Sequence, residues 1–157
     1  RDSIWTIPGA RTKNGLLHRL PLCPLAAELV RSAVTASPAE SRYVFPSPNR
    51  PNVPLGASAV TRAMSRLTKE LGIVGASPHD LRRTVGTEMA RLGLPSHVRA
   101  LILNHSPRHR SVTDAVYNRY AYDAEKRAAL QLWEDSLMTV VGHRTPHEPF
   151  LELTQSP

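Results

Sequence analysis

The chain has 157 residues, 41% of them hydrophobic and 21% charged, which is the composition of one ordinary globular domain and excludes a disordered or fibrous protein. No run approaches the roughly 18 consecutive apolar residues of a membrane-spanning helix, and the start, Arg1-Asp2-Ser3-Ile4, has no hydrophobic signal region, so a cytoplasmic setting is expected. Twenty Lys and Arg against 13 Asp and Glu leave a net charge of +7, and 17 of those cations are arginine, whose planar fork pairs two donors with a phosphate; a nucleic acid, DNA or RNA, is the expected partner.

Ser3-Ile4-Trp5-Thr6-Ile7 alternates like a strand and stops at Pro8-Gly9. A second strand, Leu16-Leu17-His18-Arg19-Leu20, follows Asn14-Gly15, the strongest signal for a two-residue hairpin, which places Lys13 at the lip of a tight turn. Cys23, the single cysteine, excludes an internal disulfide and reads as a small buried hydrophobe. Pro24 suits the first turn of a helix over Leu25–Ala36. Tyr43-Val44-Phe45 reads as a short buried strand, and the four prolines between Pro46 and Pro54 argue against any regular element there.

From Ser58, the spacing of Val60, Met64, Leu67 and Leu71 predicts a core-facing helix ended by Gly72. Ser77-Pro78 opens the next helix, which carries Leu81, Val85, Met89 and Leu92 before Gly93 stops it. A short helix over Ser96–Leu103 turns Val98, Ile102 and Leu103 inward, and Ser106–Arg110 is a polar loop. Helical pattern resumes near Val112, and Asp123 is the expected N-cap of a last helix, Ala124–Val140. On that helix Leu130, Trp133 and Leu137 form an apolar stripe, which either closes the core or mediates association. The expected fold is α+β and mainly helical, with a small antiparallel N-terminal sheet packed on a helical bundle. One domain covers 1–141 and a disordered tail 142–157.

His79-Asp80-Leu81-Arg82 lies at a helix start, where backbone N–H groups and the positive dipole end favour a phosphate, and His79 and Arg82, three apart, share a face. Together they suit an oxyanion clamp on a phosphoryl transition state, but on spacing alone the favoured reading is a helix start with a capping histidine and a solvated arginine. Leu103-Asn104-His105-Ser106 follows 26 residues after His79, and Val116-Tyr117-Asn118-Arg119 stands 12 after His105. His97, His109, His143 and His147 have no partners at metal-ligand spacing.

Taken in order, the Lys13 turn, His79-x-x-Arg82, His105 and Tyr117 resemble the tyrosine recombinase (phage integrase) family over Trp5 to about Trp133. The resemblance implies a tyrosine recombinase catalytic-domain-like fold in which Tyr117 attacks a DNA phosphodiester to give a 3′-phosphotyrosyl link and a free 5′-hydroxyl. It implies that Arg82 and His105 hold the non-bridging oxygens, that His79 assists proton transfer at the nucleophile, and that Lys13 protonates the leaving 5′-oxygen. Neither a metal nor another cofactor is implied, and the parent protein is expected to self-associate as a tetramer on DNA. Tyr120, one helical turn from Tyr117, is the rival nucleophile.

The family's first catalytic arginine stands in a Gly-x-Arg-x-x-Glu type motif upstream of the Trp-x-Ile-Pro strand, and this chain, which begins at Arg1, does not contain that motif. The expectation is a C-terminal fragment of a longer integrase, inactive or nearly so by itself. A type IB topoisomerase and a non-catalytic DNA-binding module remain as alternatives.

Overall fold

The computed structural model describes residues 3–105 and 120–142, and mixes helices with small antiparallel sheets. Among the described residues there are five α-helices and two two-stranded sheets. The chain divides into two compact units, one drawn from Arg1–Ala27 and Gly86–Pro157, the other Glu28–Val85.

In the first unit, strand β1 (Ile4–Ile7) pairs antiparallel with β2 (His18–Pro21), Ile4 opposite Pro21 and Ile7 opposite His18. The expected two-residue hairpin is not formed. The connection runs from Pro8 to Leu17 and contains a short 3-10 turn at Gly9–Arg11. The Asn14-Gly15 pair still makes a turn, but one inside this longer loop. Gly15 donates to the Thr12 carbonyl (3.3 Å) at a φ of 71°, and the Thr12 hydroxyl bridges the Gly9 and Leu16 carbonyls. Thr12 thus gathers the loop around itself, which local Asn-Gly chemistry cannot disclose.

Helix α1 (Pro24–Ala36) begins at the proline, as expected. The N–H of Leu25, one of the donors a helix start leaves without an intrahelical partner, donates to both carboxylate oxygens of Glu134 (3.2 and 3.1 Å). Glu134 is almost completely buried and belongs to the last helix, α5 (Asp123–Val140). Burial beside this carboxylate pushes the Cys23 thiol up to about 11, so Cys23 is an inert, half-buried side chain.

Helix α4 (Ser96–Ile102) turns Val98 and Ile102 inward and packs on α5, which also packs on β2. The buried residues of α5 are Lys126, Ala129 and Glu134, whereas Leu130, Trp133 and Leu137 are half-buried. Asp123 is not the N-cap of α5. Tyr122 holds that position in the left-handed region (φ 52°), and Asp123 lies in the first turn. Its carboxylate accepts from Arg19 Nε and Nη2 (3.1 and 2.8 Å). Lys126 Nζ lies 2.8 Å from the other oxygen but directs its hydrogen bond at the Arg19 carbonyl (2.6 Å), so charge rather than alignment holds that pair. Burial pushes the Asp123 carboxyl up, and Lys126 and Arg19 outweigh it, holding it below the usual carboxylate value.

In the second unit, Tyr43–Phe45 is not a strand, and Val44 and Phe45 are exposed. The proline-rich stretch instead forms the antiparallel pair β3 (Pro46–Ser47) and β4 (Arg50–Pro54), with a register irregularity between Pro46 and Ser47. Prolines are tolerated here because in a two-stranded sheet each strand is an edge and has one row of N–H groups that needs no partner. Helix α2 (Ser58–Glu70) forms where expected but is not core-facing. It has no buried residue, and Val60, Leu67 and Leu71 are each more than half exposed. Periodicity predicts which residues share a face, not whether anything covers it.

Helix α3 (Pro78–Arg91) ends in Gly93 at a φ of 76°. Leu94 donates to the Met89 carbonyl (3.0 Å) and Gly93 to that of Ala90 (3.0 Å), the paired bonds of a Schellman cap. Met89 is its fully buried side chain, while Leu81 is exposed. The helical segment expected from Val112 and the tail beyond Gly142 lie outside the described residues.

Candidate active site

The site residues expected from the sequence fall into two pairs and a single residue. Lys13 and His105 lie in the unit drawn from Arg1–Ala27 and Gly86–Pro157, and His79 and Arg82 in Glu28–Val85. Tyr117 lies outside the described residues.

Lys13 is an exposed central residue of the Thr12–Gly15 turn. Its neighbour Asn14 holds that turn together, since its Oδ1 accepts from the Leu16 N–H (3.1 Å). The amide nitrogen of Asn14 donates to Asn104 Oδ1 (2.9 Å), a bond between residues 90 apart in sequence. Asn104 adopts a φ of 49° just past α4, and the two bonds of a Schellman cap form around it, His105 N–H to the Ala100 carbonyl (2.8 Å) and Asn104 N–H to that of Leu101 (3.3 Å). The exposed His105 therefore leaves α4 from a fixed chain reversal, against which the Lys13 turn is tied. Sequence reading found Lys13 and His105 but passed over Asn14 and Asn104 as ligands of each other; an Asn directly after an apolar helical run was the available signal for the cap.

His79 and Arg82 occupy the start of α3, both exposed. The start of α3 carries its own carboxylate. Asp80 already sits there, its Oδ2 accepting from the Ser77 hydroxyl (2.6 Å) and N–H (3.0 Å), and those bonds hold its carboxyl below the usual value. A carboxylate at that end offsets the dipole, so side-chain cations rather than the helix end are left to attract phosphate. Asp80 also pairs with Arg83 (3.2 Å), while Arg82 forms no ion pair with any described carboxylate. Among the described residues, then, Arg83 has a carboxylate partner and Arg82 has none.

Tyr120, the rival nucleophile, is exposed, and its hydroxyl donates to Glu125 Oε2 (3.3 Å). That bond to a carboxylate pushes the phenol above its ordinary value, which opposes formation of the phenolate a phosphorus attack requires. Its ring meets that of Tyr122 edge-on, with centroids 4.7 Å apart, and Tyr122 in turn meets His97 (5.9 Å). Among the described residues no cluster of His, Cys, Asp and Glu could hold a metal ion, and no helix is long and apolar enough to cross a membrane.

The model of the phage integrase family matches residues 1–124. Two curated relatives come from Escherichia coli strain K12. Prophage integrase IntA is 32% identical over 133 residues, covering 85% of this chain and 31% of the relative, and prophage integrase IntZ is 30% identical over 151 residues, covering 94% of this chain and 35% of the relative. The chain thus spans about a third of the length of these relatives. No solved structure matches the chain significantly.

Proposed function

The chain belongs to the phage integrase family, and from that premise we propose that it is the C-terminal catalytic part of a site-specific DNA recombinase that cuts and rejoins DNA through a covalent tyrosine intermediate. The Tyr117 oxygen attacks the scissile phosphorus, and the bond from phosphorus to the 5′-oxygen breaks, leaving a 3′-phosphotyrosyl link and a free 5′-hydroxyl. Arg82 and His105 donate to the non-bridging oxygens as these gain charge, His79 assists transfer of the phenolic proton, and Lys13 delivers a proton to the departing 5′-oxygen. The bond energy is kept in the phosphotyrosyl ester, so attack by another 5′-hydroxyl rejoins the strand without ATP.

What supports this reading most is that the family match spans Lys13, His79, Arg82, His105 and Tyr117 together. The Arg82 guanidinium, which has no ion pair among the described residues, and the tie between the Lys13 turn and the His105 end of α4 agree with it. The domain covers 1–141, works in the cytoplasm on double-stranded DNA, and assembles as a tetramer within a longer parent.

The test is a suicide substrate nicked near the scissile phosphate, given to the longer protein and run on a denaturing gel. The wild type and Tyr120→Phe form a protein–DNA adduct, and Tyr117→Phe forms none while still binding DNA. An adduct that survives Tyr117→Phe and disappears in Tyr120→Phe reassigns the nucleophile. Binding without any adduct in the wild type favours a DNA-binding module.

A further inference from the structure

We infer that Asn14 and Asn104 are positioning residues for phosphoryl transfer: their amide-to-amide hydrogen bond fixes the turn that presents Lys13 against the end of α4 that presents His105. The inference rests on the roles proposed above for Lys13 and His105.

Each asparagine performs a local and a long-range task with different atoms. Asn14 Oδ1 accepts from the Leu16 N–H, which fixes the orientation of the amide and turns its Nδ2 toward Asn104. Asn104 must then present Oδ1. Its backbone meanwhile supplies the left-handed residue that caps α4 and sets the direction in which His105 leaves the helix. The Thr12 bonds hold the ten-residue loop, Pro8 to Leu17, to itself, and the Asn14 bond ties it to the end of α4. The lysine that protonates the leaving oxygen and the histidine that holds a non-bridging oxygen serve the same phosphate, so their spacing must be held within a fraction of an ångström, which one bond between half-buried side chains can do.

Three substitutions separate this role from a structural one. Asn104→Gly keeps the left-handed cap and deletes the acceptor, and Asn104→Asp keeps both. Asn14→Ser retains a short acceptor for the turn but cannot reach Asn104. Thermal unfolding of the 157-residue chain comes first: Asn104→Gly and Asn14→Ser lower Tm, and the double variant loses no more than the larger single loss. Additive losses would show that the two side chains do not meet.

Cleavage by the longer protein is then measured on ordinary DNA and on DNA whose leaving 5′-oxygen is replaced by sulfur, which departs without a proton. Asn104→Gly and Asn14→Ser slow the ordinary reaction by on the order of 10–100-fold, and both return to the wild-type rate on the sulfur substrate, as Lys13→Ala does. Asn104→Asp stays at the wild-type rate on both. Wild-type cleavage of ordinary DNA by Asn104→Gly and Asn14→Ser, or an equal defect on both substrates, overturns this inference while leaving Lys13 in place. A Lys13→Ala protein that cleaves ordinary DNA normally overturns the Lys13 assignment, and the inference with it.

Discussion

Every fully buried described residue belongs to the unit drawn from Arg1–Ala27 and Gly86–Pro157, and none to Glu28–Val85. The first unit buries Met89, Val98, Ile102 and Ala129 together with the polar side chains of Glu134 and Lys126, and Lys126 pairs with the half-buried Asp123. The second holds eight of the Lys and Arg against four Asp and Glu, and exposes the apolar stripe of α2. One region is held by its interior, while the other is mainly a basic surface.

Substitutions that fall on one side of this division and not the other test it. The largest effect belongs to Arg82→Ala, which lowers DNA cleavage by the longer protein by about 10³-fold, roughly 4 kcal/mol of transition-state stabilisation, with the melting curve unmoved. Arg83→Ala, removing a guanidinium already paired with Asp80, changes cleavage far less. Equal losses from the two would erase the distinction drawn between them.

Next in size is Met89→Ala, which empties a completely buried site and costs about 3 kcal/mol in thermal unfolding. Leu67→Ala on the exposed face of α2 stays within about 0.5 kcal/mol. A large loss at Leu67 would mean that α2 is covered in solution and would break the contrast between the units.

A smaller effect depends on pH. The folded-state value of Asp123 lies below the ordinary carboxylate value, so the stability it contributes is complete above that ordinary value and is lost as pH falls through the lowered one. With its side chain one-quarter exposed, the contribution is about 1 kcal/mol. Asp123→Asn removes this part of the acid dependence, as Tm measured from neutral pH to below pH ~4 will register. An unchanged acid profile would detach the Arg19–Asp123–Lys126 group from the stability of the first unit.

What the sequence made legible follows from how local each feature is. Pro24 and Ser77-Pro78 opened helices, and Gly93 closed one, because those residues act through their own backbone. The motifs that hold Lys13, His79, Arg82 and His105 were legible as an ordered set, and that order pointed to the phage integrase family, whose model matches residues 1–124. The rest depended on partners far along the chain. Glu134 capping α1, Asn14 meeting Asn104, and Arg19 drawing Asp123 away from a capping role are pairings across some 90 to 109 residues that no window contains. Likewise the stripe of α2 has the same periodicity whether it is buried or bare, and the prolines of β3 and β4 were misread because an edge strand requires fewer donors than a central one.

The central claim is that Tyr117 becomes covalently joined to DNA, and the sequence lets a digest decide it. Trypsin cleaves after Arg110, Arg119 and Lys126, so Tyr117 falls in the peptide 111–119, while Tyr120 and Tyr122 share the peptide 120–126. The adduct trapped on a nicked substrate by the longer protein is digested with trypsin and nuclease, and the peptide that keeps a 3′-linked nucleotide is identified by mass spectrometry. The account predicts the nucleotide on 111–119, at Tyr117, with 120–126 unmodified; the nucleotide on 120–126 would contradict it.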